Sequence, residues 1–164
     1  MEAIRSGDYC IRKARKEEWQ EAMDLAWKTF LLFQTKEYSR EGIESFHNFV
    51  NDKDLKKFFL QDIYQLFVAL HHNRIIGMIT LRNRSHISLL FVEKEYQKNG
   101  VGSALITYLS DYVLYENEID YVTVDSAPSA REFYHKIGFW DLAPMQHKQG
   151  ISSTPMKKNL KYIK

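Results

Sequence analysis

The tightest constraint on the fold lies in residues 86–113. "HISLLFV" (86–92) is a short run rich in apolar and aromatic residues, the pattern of a strand. In "VGSALITYLSDYV" (101–113), Val101, Leu105, Ile106, Leu109, Tyr112 and Val113 recur at steps of three and four, the buried stripe of a helix. Between them stands Gln97-Lys98-Asn99-Gly100-Val101-Gly102. Glycines at the mouth of a helix weaken it, so two of them need a reason. The first four N–H groups of a helix have no partner inside it, and with the macrodipole they attract an anion. Without a Cβ, glycine lets a large anion such as a pyrophosphate come close to the backbone. A turn that only lets strand and helix pack accounts for the same residues, and at this level both readings stand.

The rest of the chain surrounds that unit with recognisable elements. "YCIRKA" (9–14) reads as a first strand. From 16 to 33 the pattern is helical, with Trp19, Met23, Ala26, Trp27, Phe30 and Leu31 on one face. "SREGIESFHNFV" (39–50) is a second helix capped by Ser39, and "LKKFFLQ" a further helical turn. "IYQLFVAL" (63–70) and "RIIGMITL" (74–81) form a hairpin across "HHN", which leaves His71 and His72 in water. A helix over 101–115, a strand "YVTVD" (121–125), a helix over 129–137 and a closing strand near "TPMKKNL" follow. The middle strand–helix–strand unit predicts one right-handed crossover onto parallel strands.

At 164 residues the chain is expected to be one domain, 1–164, with a sizeable core. A net charge of +2 from scattered basic residues gives no nucleic-acid footprint. Cys10 stands alone, so no internal disulfide forms, which suits a reducing compartment. No run approaches a membrane span, and the expected location is the cytoplasm. The six histidines and one cysteine show no metal-ligand spacing, so no metal is expected.

The glycine loop lacks the lysine of a P-loop, and Leu105 is too bulky for the third glycine of a dinucleotide fingerprint. What stands there is Q-x-x-G-x-G. That motif, between a strand and a long helix, resembles the acetyl-CoA pyrophosphate motif of the GNAT N-acetyltransferase superfamily. "VDSAPSAREFYHKIGF" (124–139) is similar to the family's later strand–helix segment, and "GISSTPMKKNL" (150–160) to its closing strand. The resemblance implies an α/β (α+β) fold: a mixed, mostly antiparallel central sheet with helices on both faces and one β-α-β crossover. It implies that acetyl-CoA lies between two splayed strands. Its pantetheine would pair with the main chain of Leu90, Phe91 and Val92. Its pyrophosphate would take N–H groups from Lys98, Asn99, Gly100, Val101, Gly102 and Ser103, beside Gln97.

Acyl transfer to an amine needs a neutral amine, an anchored carbonyl and a protonated leaving thiolate. An unpaired strand N–H near Phe91 is the natural donor to the carbonyl oxygen as it gathers charge. The resemblance makes Tyr134 the acid for the thiolate. With reference values of about 10 for a phenol and about 8.5 for a thiol, full transfer costs about 2 kcal/mol. Ser126 and Ser129 read as helix caps or as cofactor contacts. Arg131 reads as a cofactor contact or as the partner of an exposed carboxylate. Asp125 stands where many relatives carry Asn, and base, amine anchor and helix cap remain open for it. Gly138 reads as a left-handed helix terminator.

In such folds the acceptor site lies between the N-terminal helices and the last strands, here near Phe30, Phe33, Glu37, Tyr38 and Glu41, with Trp140 and Met145 opposite. Phe33, Glu37 and Asp125 are the candidate substrate contacts. Aromatics with carboxylates suit a cationic amine, small molecule or peptide. The expected activity is direct acetyl transfer from acetyl-CoA to a primary amine, since Cys10 lies outside the motif. A non-catalytic acyl-CoA-binding or sensing module is the alternative; it would keep residues 97–103 and dispense with Tyr134. A homodimer is an expectation of the family alone.

Overall fold

The computed structural model describes residues 4–6 and 9–163. In chain order the elements are β1 (Ile4–Ser6), β2 (Tyr9–Lys13), α1 (Trp19–Phe33), α2 (Arg40–Val50), α3 (Lys53–Leu60), β3 (Gln65–His71), β4 (Arg74–Arg82) and β5 (His86–Val92). They continue with α4 (Val101–Asp111), β6 (Tyr121–Ser126), α5 (Arg131–Lys136), β7 (Trp140–Asp141), β8 (Gln146–Lys148) and β9 (Ile151–Asn159). The strands lie in the order β1-β2-β3-β4-β5-β6-β9-β7, with β8 also pairing β9. Every pairing is antiparallel except β5–β6, which α4 joins as a crossover. β3 and β4 are buried nearly throughout, as strands covered on both faces must be.

Two cores sandwich the sheet. On one face Val101, Leu105, Ile106 and Leu109 of α4, with Val113 just beyond it, pack against Ile79, Ile87, Val122 and Val124. On the other, Trp19, Met23, Ala26 and Phe30 of α1 pack with Val50, Leu55 and Phe59 against Val68, Met78, Leu89 and Phe91. Side-chain oxygens start two of the helices: Ser39 Oγ accepts from the Gly42 N–H at 3.2 Å, and Asp52 Oδ1 from the Asp54 N–H at 2.8 Å.

β5 changes which face it shows. The β4–β5 register runs Thr80 opposite Leu89 and then Leu81 opposite Ile87, so Ser88 is an extra residue, a β-bulge. Ile87 therefore joins the α4 core, whereas Leu89 and Phe91 join the α1 core. Pairing with β6 stops at Ile87–Val124, although β5 runs on to Val92. Beyond the bulge the two parallel strands diverge.

Several expectations change. α4 gives way at Tyr112 to a π-helical turn through Glu116 and is not α-helical to 115. The helix at 129–137 is a 3₁₀ turn, Pro128–Ala130, followed by the short α5. Leu31 is exposed, because α1 runs past the edge of its core there. Ile63 lies outside β3 in a turn with Asp62 at φ +60°. His71 is not free in water: its Nδ1 lies 2.6 Å from the Tyr96 hydroxyl. The fragments β1 and β8 carry no strong pattern in the sequence.

Candidate active site

A cleft of about 520 Å³ opens where β5 and β6 part. Its floor is the end of β4 and the start of β5, with Arg82, His86, Ile87 and Ser88, and across the apex Val124 and Asp125. α2 and the segment before it supply Tyr38, Ser45, Phe46 and Phe49; the β8–β9 hairpin supplies Gln149, Ile151 and Ser153. Hairpin and helix are bolted together. The Ser39 N–H donates to Gly150 O at 3.2 Å, and a Cβ on Gly42 would lie 2.6 Å from that same carbonyl oxygen. Gln149 and Gly150 both hold positive φ, the two-residue turn that matches strand twist.

One arm of the opening is main chain. The Glu93 N–H bonds Ile76 O at 2.8 Å, which sets the alternation along β5. Phe91, like Glu93, turns its main-chain groups toward β4, and Leu90 and Val92 turn theirs toward the gap. The Val92 carbonyl is taken by Gln97 Nε2 at 2.9 Å. Among the described residues, the groups left without a partner at the gap are therefore the Leu90 N–H and C=O and the Val92 N–H. The donor expected near Phe91 moves to its neighbours. The Phe91 ring packs in the α1 core, its centroid 5.7 Å from that of Phe46.

At the far end of the arm α4 begins. Gly100, at φ +81°, is its N-cap, a left-handed conformation that favours glycine. Among the described residues, no carbonyl accepts from the N–H groups of residues 98–103; the Gly100 carbonyl already accepts from Ala104 at 2.9 Å. Gly102 differs from Gly100. Its backbone is ordinary, and an added Cβ would meet only the Phe133 ring at 3.4 Å and Val92 at 3.9 Å, normal contacts. Nothing among the described residues requires glycine there. Lys98 is exposed beside it, at φ +64°.

On the β6 side, Tyr134 lines the cleft, buried between Phe133 and Phe139 with centroids 5.2 Å away in each case. Its hydroxyl bonds no described residue, and burial pushes the phenol's pKa well above its ordinary value. Tyr134 thus holds its proton more firmly than the reference value implied, and full transfer to a thiolate costs more than about 2 kcal/mol. The helix bearing it ends as expected: Gly138, at φ +104°, donates to His135 O while Phe139 donates to Tyr134 O.

Asp125 meets His86 across the apex, Oδ2 to Nε2 at 3.5 Å, while His86 Nδ1 lies 2.8 Å from Thr123 Oγ1. Hydrogen bonding from His86 holds the Asp125 carboxyl below its ordinary pKa, against a smaller opposing effect of burial. Other candidates are placed differently. Ser126 and Ser129 cap nothing; Ser126 is buried with its hydroxyl donating to Ala127 O at 2.8 Å, and Ser129 is exposed. Arg131 is engaged by Asp141, which also lies 2.7 Å from His135 Nε2. Phe33 is exposed at the end of α1 and does not line the cleft, although the next residue, Gln34, does. Glu37 does not line the cleft either, though its Oε2 is buried with no hydrogen-bond partner among the described residues, beside the cleft residue Tyr38. Phe30 is core, and Trp140 and Met145 are exposed.

The splayed parallel pair, the open helix start and the sequence between them agree with one family. The Acetyltransferase (GNAT) domain matches residues 34–160, and the chain belongs to that family. It is similar to YafP of Escherichia coli, an uncharacterised N-acetyltransferase, at 36% identity over 75 residues; the match spans 46% of this chain and 45% of that protein. Its fold is similar to that of a GCN5-related N-acetyltransferase from Rhodopseudomonas palustris, with TM-score 0.80, 21% identity, and 96% and 99% of the two chains covered. A PaiA N-acetyltransferase from Thermoplasma acidophilum, solved with coenzyme A, aligns at TM-score 0.74 and 19% identity over 92% of this chain and 98% of that one.

Proposed function

We propose that the protein moves an acetyl group from acetyl-CoA to a primary amine by direct transfer. The observation that carries this reading is Gly102, a glycine with neither a backbone nor a packing reason, set among N–H groups that no described carbonyl accepts from. Close approach by an external anion is the reason that remains. The coenzyme A in the Thermoplasma complex supports the choice of that anion.

The cofactor's diphosphate suits the N–H groups of residues 98–103, with Lys98 adding charge. Its pantetheine amides suit the free groups of Leu90 and Val92, between strands with nothing else to bond there. When bound, acetyl-CoA supplies an acyl group already activated as a thioester. The Leu90 N–H, next to the apex, is a fixed donor for the acyl carbonyl. Tyr134 offers a hydrogen bond to the departing sulfur and, with its raised pKa, keeps its own proton until the transition state. Gln97 holds the end of β5 in place. Ser126, Ser129 and Arg131 are neighbours in sequence of the cleft residues Ala127 and Ala130, with Arg131 restrained by Asp141. The acceptor enters from the α2 side, where Asp125, kept ionised by His86, anchors its ammonium; that group gives a proton to solvent first, since only the neutral amine attacks. Glu37, with its unpartnered buried oxygen, favours a cation nearby.

Titration calorimetry with coenzyme A, followed by thiol release from acetyl-CoA across a panel of amines, tests the reading. Uptake of the coenzyme and amine-dependent thiol release are expected. Uptake without release from any amine supports a sensing module, and no uptake overturns the assignment altogether.

A further inference from the structure

The cleft floor carries a charge that the reaction above does not use. Arg82 ends β4, opposite His86 in the β4–β5 register, and His86 in turn stands opposite Thr123 on β6. Cross-strand partners share a face, and Asp125, two residues beyond Thr123, lies on the same one. Arg82, His86 and Asp125 thus form a row on the floor, and all three line the cleft. His86 is engaged by Thr123 and Asp125. The Arg82 guanidinium makes no hydrogen bond or ion pair with any described residue, though its charge reaches Asp125 and helps to hold that carboxyl ionised, as does that of Lys148 on β8. Above the floor the lining is neutral, with Gln34, Tyr38 and Phe49.

The coenzyme does not account for Arg82. His86 and Val92 mark the two ends of β5, six residues or about 20 Å apart. Arg82 sits at the His86 end, and the open N–H groups of α4 follow the Val92 end. A guanidinium at the acceptor end, within reach of an ionised carboxylate that anchors an ammonium, is complementary to a molecule carrying both charges.

We infer that the acceptor is an amine that also bears a carboxylate, of the amino acid class, with its carboxylate on Arg82 and its ammonium on Asp125. This rests on the acetyltransferase reading and narrows its substrate. A polyamine would bring a second cation to Arg82 and pay for it in repulsion, whereas an amino acid brings the missing anion.

The test uses the purified chain saturated with coenzyme A, and matched probes: L-amino acids, their carboxamides, and spermidine. Calorimetric binding is read on that complex, and thiol release in a separate reaction with acetyl-CoA in place of coenzyme A. At least one amino acid should bind and react about tenfold better than its carboxamide, and R82Q should remove that advantage while leaving the affinity for coenzyme A unchanged. R82Q is a surface change, and an unaltered circular dichroism spectrum confirms folding. Equal handling of acid and amide, a preference for spermidine, no binding of any amino acid to the coenzyme-loaded chain, or an unchanged preference in R82Q each overturns the inference. Failure of coenzyme A itself to bind overturns the parent reading instead, so the two failures are distinct.

Discussion

The Tyr64 hydroxyl stands 2.9 Å from Ser88 Oγ and also 2.7 Å from Thr80 Oγ1, so one buried phenol spans the register shift where β5 bulges. Burial raises that phenol to about 12, so it remains a donor. The bulge is where β5 leaves β6, and Tyr64 fastens it from the α1 side.

Tyr64→Phe keeps the ring and removes the bridge. Thr80 is fully buried, so its hydroxyl loses a partner that water cannot replace. The expected loss is about 1–2 kcal/mol in a urea titration, with weaker coenzyme A binding as the bulge relaxes. Unchanged stability and affinity would mean that the bulge is held by the ladder alone.

Gly102→Ala separates fold from function. The added methyl meets only ordinary contacts, and alanine suits a helix better, so stability should hold or rise by up to about 1 kcal/mol. Coenzyme A affinity should fall about tenfold, about 1.4 kcal/mol, because the methyl stands in the approach to the open N–H groups. Full affinity in this variant would sink the cradle assignment.

Tyr134→Phe removes a hydroxyl that no described group bonds, so stability should change by less than about 0.5 kcal/mol. Turnover should fall about 10²-fold with the KM for acetyl-CoA little altered. In the unmodified protein no alkaline loss of activity should trace to Tyr134 below the ordinary phenol value of 10.0, since burial moves it upward. Turnover that survives the substitution would leave Tyr134 as packing.

Glu18 takes Arg12 in a two-pronged ion pair at 2.8 and 2.9 Å, and accepts from the Arg15 N–H at 2.7 Å. The Arg12 hydrogen bond holds its carboxyl below the ordinary 4.5. A depressed folded pKa gives stability that is present above 4.5 and lost as pH falls through the folded value. Glu18→Gln should cost about 1.5–3 kcal/mol at neutral pH. Chemical denaturation at a series of pH values should show that gap closing in acid. A constant gap would assign the effect to packing.

Much of this was legible in residues with strong patterns. The stripe of α4, the Ser39 cap, the glycine loop and the Gly138 terminator each follow from local chemistry, and each stands where the spacing predicts. The bulge was hidden, because Ser88 sits in a run whose alternation looks regular until the partner strand is known. For the same reason the sequence groups Phe91 with Leu90 and Val92 at the gap, and only the register separates Phe91, whose main chain faces β4, from its two neighbours. Leu31 fits the helical stripe but overruns its core, which no periodicity reveals. The Gln149-Gly150 turn lacks the Asn or Asp that usually announces such a hairpin, so β8 and its place in the cleft wall were missed. Arg82 is one charged residue at a strand end in the sequence; only the register sets it in line with His86 and Asp125.

The clasp between Gly42 and Gly150 has a consequence for how this member of the family could diversify. A methyl on Gly150 would come within 1.8 Å of Ser39 Oγ, and one on Gly42 would strike the opposing carbonyl. A chimaera that borrowed only the hairpin from a relative, or only the helix, would mate two surfaces never cut to fit. New acceptor preferences reach this scaffold most readily when both pieces are exchanged together.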